Sequence, residues 1–141
     1  MNNKNIVPAK DNDLGERNNY FKYFQGDVLD QADDYRDFLV TILENKIHKT
    51  IQKTKLVYKY DPHSQESIHK YIDNIENIVL LVKTTNGYIF GGWTESAFIP
   101  KTSSTKSGLL FSVTNRACFE LVTPNTKAIV HDPYFVIFGN N

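Results

Sequence analysis

The sequence predicts an α+β fold: a mostly antiparallel β-sandwich flanked by helices, with a helical extension at its N-terminal side. Three observations predict it. Two segments of helical period come early, and about six short apolar runs make up most of the remainder. Those runs are separated by hairpin-type turns, not by helices, which excludes an alternating α/β architecture with a parallel sheet. At the centre stands IVLLVKTTNGYIFGGW, residues 78–93, two apolar arms around Asn86-Gly87. Asn-Gly in that setting signals a hairpin, because both residues tolerate the positive φ of a type I′ turn. The arms hardly alternate between apolar and polar, so the hairpin is expected to be covered on both faces, in the middle of a sheet.

At 141 residues the chain has the size of one domain, enough to bury roughly two-thirds of its unfolded surface. Sixteen basic and sixteen acidic side chains cancel overall, and they cancel separately on either side of Lys70. No basic surplus points to nucleic acid, and no acidic tail points to a basic partner. A single cysteine, Cys118, rules out an internal disulfide. The first residues lack the apolar core of a signal peptide, no run approaches the ~20 apolar residues of a membrane span, and no N-x-Ser/Thr sequon is present. These features favour a reducing, cytoplasmic setting.

Residues 1–19 are polar and Asn-rich and are expected to be disordered. Residues 20–54 read as the helical extension. It opens with four aromatics, Tyr20, Phe21, Tyr23 and Phe24, a short piece pinned to the core or an anchor for a partner. Across 27–51, Tyr35, Phe38, Leu39, Ile42, Leu43 and Ile47 form one apolar stripe at three- and four-residue spacing. Asp27, Asp30, Asp33 and Asp34 crowd its start and Lys46, His48, Lys49 and Lys53 its end, the order that the helix dipole favours. The aspartates lack the glycine and closing glutamate of a calcium loop, so they read as helix-start charges.

Residues 55–141 read as the β-rich domain. Residues 56–60 form a strand in this reading. Asp61-Pro62 ends it, with Pro62 at a first helical position and Asp61 or Ser64 as the cap. The short helix that follows carries Ile68, Tyr71, Ile72 and Ile75 on one face. His63 and His69 are six apart, not at the i, i+4 spacing of two zinc ligands, and both read as surface groups. After the central hairpin, residues 100–108 are a polar excursion with hydroxyls and two lysines. It lacks the P-loop order and reads as a solvated loop. Strands are expected at 109–114 and 118–122, joined at Asn115-Arg116, then at 128–130 and 134–138 after a turn at Thr123-Pro124-Asn125.

The run VKTTNGYIFGGWTESAF, residues 82–98, resembles the signature of the TLDc family, whose members carry a similar NG-aromatic-x-FGG-aromatic-T element after an apolar strand. The resemblance spreads over roughly residues 55–141. It implies a β-sandwich flanked by helices and a non-enzymatic interaction module, linked to oxidative-stress resistance and to binding and regulation of the vacuolar proton-pumping ATPase. If binding runs through the signature, Gly91, Gly92, Trp93, Thr94 and Glu95 are the partner-binding residues. The glycines within a strand also admit a close neighbour or a bulge, so folding needs them as well. Family members continue past the Phe138-Gly139 element, so the chain resembles a C-terminally shortened member. Its sheet edge would then be open to self-association.

No catalytic constellation appears: the sequence has no GxSxG, HExxH, CxxC or dinucleotide loop. Neither a cofactor nor a metal is expected. The weak candidates for an alternative, a small enzyme or small-ligand binder, are Cys118 with His131, as a thiol–imidazole pair, and Glu95 beside the glycine-rich bend. Cys118 reads first as a small core residue of a buried strand.

Overall fold

In a computed structural model of the chain the described residues are 24, 28–29, 33–100, 103–104, 107–120, 127–132 and 136–140. They divide into two compact units, Met1–Lys55 and Leu56–Asn141. Residues 1–19, and all of the aromatic cluster except Phe24, lie outside the described residues.

The first unit is built on helix α1, Asp33–Ile47. Leu39, Val40 and Leu43 are buried on it, and Tyr35, Phe38, Ile42 and Ile47 are half-buried, so the stripe read from spacing is the covered one. The helix stops at Ile47, short of residue 51, because His48 turns to φ 54°, a left-handed value that ends the ladder. Arg36 is also buried, and its Nε–H donates to the Phe24 carbonyl at 3.2 Å. Beyond the end, the Ile51 N–H donates to the Glu44 carboxylate at 2.8 Å.

In the second unit the chain first departs from the pattern. No strand forms at residues 56–60, and Leu56 and Tyr60 are exposed. Strand propensity needs a ladder partner to be realised, and here only Val57 and Tyr58 pack inward, against the core. Pro62 does not start a helix either. Asp61 accepts from the His63 N–H through its carboxylate and from the Ser64 N–H through its carbonyl, which makes a tight turn. Helix α2, His69–Ile72, begins only later, with the Ser67 hydroxyl accepting from the His69 N–H.

The strands are β1 (Ile78–Lys83), β2 (Ile89–Thr94), β3 (Ser103–Ser104), β4 (Gly108–Ser112), β5 (Ala117–Glu120), β6 (Lys127–His131) and β7 (Val136–Asn140). They form a four-stranded sheet in the order β1-β2-β4-β5 and a three-stranded sheet in the order β3-β6-β7, with every pairing antiparallel. The polar excursion therefore contributes a strand, because Ser103 and Ser104 pair with Val130 and Ile129. Antiparallel sheets with few helices are the α+β class that the hairpin pattern implied.

The central hairpin exists with a different turn. Gly87 has φ 88°, whereas Asn86 is not among the positive-φ residues. The Gly87 N–H donates to the Thr84 carbonyl and the Thr84 N–H to the Tyr88 carbonyl, both at 2.9 Å. That is a three-residue loop with glycine in the left-handed bulge position, so one positive φ suffices where type I′ needs two. Only β2 is internal; β1 ends the sheet among the described residues, so the hairpin is half central and half rim.

Both close approaches expected of the glycine pair occur. A Cβ at Gly91 would fall on the Leu80 carbonyl oxygen, and one at Gly92 would meet the Phe138 ring at 2.9 Å. Phe138 belongs to β7, so the three-stranded sheet touches the four-stranded one at this bare position. Ile72, Ile78, Phe98 and Ile129 form the buried cluster around it, joined by Val136 and Phe138.

Candidate functional site

Helix α2 presents His69, and Asp73 follows four residues later on the same side. Asp73 is the C-terminal cap residue of α2 and leaves it in an extended conformation (ψ 144°), and Asn74 then turns to φ 63°. The chain is held there by a parallel bridge between Asp73 and Phe98 and by the Asn74 N–H donating to the Phe98 carbonyl at 2.9 Å. From the other direction comes His131, the last residue of β6, paired across the ladder with Val136.

The three side chains meet. His69 Nδ1 lies 2.6 Å from Asp73 Oδ1, and His131 Nε2 lies 2.8 Å from Asp73 Oδ2. Their side chains are 8%, 16% and 9% exposed for His69, Asp73 and His131. The imidazole rings lie 4.0 Å apart, inclined at 35°, and the Phe98 ring stands edge-on to His69 at 6.2 Å. An ionised carboxylate only accepts hydrogen bonds, so both facing nitrogens carry the proton: Nδ1–H on His69 and Nε2–H on His131. Burial pushes the Asp73 carboxyl up, but hydrogen bonds from His69 and then His131, with their charge, outweigh it and hold the group below its ordinary 3.8.

This arrangement has two chemical capacities. As it stands it is a half-buried polar clamp between α2 and β6, linking residues 58 apart in sequence. With the facing protons moved off, His69 Nδ1, a carboxylate oxygen of Asp73 and His131 Nε2 all lie within 4.8 Å of one another and can ligate one metal ion.

His69, read from sequence as a surface group, is buried; His63 is exposed. His69 and His63 do not share the i, i+4 spacing, whereas His69 and Asp73 do. Cys118, read as a core residue, is exposed on β5, a terminal strand among the described residues. Cys118 and His131 stand on different sheets and no hydrogen bond joins them, and His131 Nε2 is taken by Asp73. Glu95 is exposed just beyond β2, its backbone held by Asn77 and Ser107. Gly91, Gly92, Trp93 and Thr94 are buried, and the Thr94 hydroxyl bonds the Ser96 backbone. A separate groove of about 320 Å³ runs past Tyr58 and Tyr71. There Glu66, exposed to solvent, accepts from Lys70 and Tyr71, bonds that hold its carboxyl below the ordinary value.

The TLDc domain family matches residues 28–141, well over half of the chain. That match begins upstream of residue 55 and takes in α1 as well as the β-rich unit. No curated protein and no solved structure matches the chain.

Proposed function

We propose that this chain, which belongs to the TLDc family, is a non-enzymatic protein-interaction module whose two sheets pack as the layers of a sandwich. One observation carries the reading. Val82, Phe90, Leu110 and Phe119 are between 36% and 65% exposed and share one face of the four-stranded sheet. Val82 pairs with Phe90 and Leu110 with Phe119, while Phe90 and Leu110 are diagonal neighbours. The row shares its face with Gly92, where Phe138 of β7 seats, so it is the stretch of that face that the three-stranded sheet leaves open, and an open apolar row in water supports a partner that covers it.

Support for the sandwich comes from the contact between Phe138 of β7 and Gly92 of β2, and from the cluster that joins Ile78 to Ile129. In this reading Gly91, Gly92, Trp93 and Thr94 hold the partner-binding sheet from within, and Glu95 supplies a solvent-side charge beside it. Family resemblance favours the vacuolar proton-pumping ATPase as the partner, oxidative-stress resistance as the process and the cytoplasmic side as the place. Among the described residues no helix is long and apolar enough to cross a membrane.

The test is capture of the purified proton pump by the wild-type chain and by the double variant Phe90→Ser/Phe119→Ser. Both positions are exposed, so melting should change little, whereas capture should fall at least ~10-fold if they are central to the interface. Wild-type chain that captures no pump overturns the partner. Capture undiminished by the double variant overturns the face.

A further inference from the structure

We propose that His69, Asp73 and His131 form a binding site for one divalent transition-metal ion, Zn²⁺ foremost, with Nδ1, carboxylate and Nε2 as ligands.

The donors already converge. Three ligand atoms from two distant segments lie within 4.8 Å of one another, and both nitrogens point at one carboxylate at 2.6 and 2.8 Å. Metal–nitrogen and metal–oxygen bonds of ~2.0–2.2 Å require donor pairs roughly 3.0–3.4 Å apart. Loading the site therefore opens each existing pair by roughly half an ångström, a rotamer-scale adjustment. The carboxylate keeps its place because the Asp73 backbone is bridged to Phe98.

The protons balance without outside help. On each ring the proton facing Asp73 leaves, to solvent or to the ring's other nitrogen, as the ion takes its place. The freed lone pair then ligates. One carboxylate charge against a dication leaves the loaded site at +1, which is milder than two imidazolium rings stacked 4.0 Å apart.

The donor set selects the ion. Two nitrogens and one oxygen disfavour Mg²⁺ and Ca²⁺, which take oxygen, and the absence of a thiolate disfavours Cu⁺. Among first-row divalent ions the affinity order puts Zn²⁺ above Mn²⁺ and Fe²⁺ and below Cu²⁺, which prefers a square-planar donor set that three ligands do not supply. Asp73, the most exposed of the three, gives the ion its way in, and the Phe98 ring beside His69 lowers the local dielectric. Three protein ligands leave a fourth tetrahedral position for water or for a partner's side chain.

The experiment uses the full, tag-free chain stripped with chelator and titrated with ZnCl₂ by calorimetry. One equivalent should bind. His131→Gln and His69→Asn each place an amide N–H near the lost ring N–H, so the bond to Asp73 survives while the ligand does not. Each should weaken binding at least ~100-fold, matching or exceeding the loss seen for outer-shell partners, while His63→Gln leaves it unchanged. Binding that the two variants do not alter, or no binding by the wild type, overturns the site. X-ray absorption of the zinc-loaded wild type needs no variant: two imidazoles in the shell support the site, and a shell without them overturns it.

Discussion

Asp73, its side chain 16% exposed, stands between two histidines, where an unpaired carboxylate would be expensive. Its folded pKa is lowered from 3.8, so its contribution to stability is complete above the unfolded value and is lost as the pH falls through the folded one. In chelator-treated protein, Asp73→Asn should cost about 1–3 kcal/mol at neutral pH, because an amide accepts at one position only and both charge-assisted bonds to the carboxylate are lost. Thermal melts of wild type and variant should differ most above the ordinary carboxylate pKa and converge in acid. A gap that widens in acid would show that Asp73 is not the group that acid titrates. Local spacing makes His69 a surface group and the structure buries it, because exposure depends on what the helix packs against, and β6 is a neighbour that no local spacing reveals.

At the scale of the element, β2 is defined by two glycines that serve different neighbours. Gly91 gives way to backbone, the Leu80 carbonyl of the adjacent strand, and Gly92 to a side chain, Phe138. An aromatic ring can tilt, whereas a ladder carbonyl cannot move without breaking its pairing. Gly92→Ala should therefore destabilise by about 1–3 kcal/mol, in the range of ordinary overpacking. Gly91→Ala should exceed about 4 kcal/mol or prevent folding. Denaturant titration of the two variants checks this, and equal effects would mean that the Leu80 approach relaxes freely. Turn chemistry shows the same division. That Asn86-Gly87 reverses the chain was legible, but the loop used only the glycine for its positive φ, because the register Lys83↔Ile89 set the loop length.

Across the whole β-rich unit, the C-terminal strands act as a lid on groups supplied much earlier in the chain. β6 brings His131 to Asp73 and Ile129 to the buried cluster, and β7 brings Phe138 to Gly92. Residues 56–60 show the converse: they carry strand-forming side chains, yet without a ladder partner they stay irregular. A chain ended after Thr126 should lose its cooperative thermal transition, since it leaves His69, Ile72, Ile78 and Phe98 without their covering strands. A sharp melt of that fragment, followed by near-UV and far-UV signals together, would show that the four-stranded sheet is stable alone.

Local covalent pattern was enough for part of this protein. Helix α1 and its buried stripe followed from three- and four-residue spacing, the reversal at Gly87 from glycine's tolerance of positive φ, and family membership from the run around Gly91-Gly92-Trp93. Each of those signals lies within a few residues and needs no knowledge of what lies opposite. Tertiary structure alone decided that Cys118 faces solvent, that Ser103-Ser104 joins a sheet, and that His69, Asp73 and His131 share one polar site. Burial and convergence are properties of pairs far apart in the chain. The contact between residues 73 and 131 exists only once β6 has taken its place beside β3 and β7.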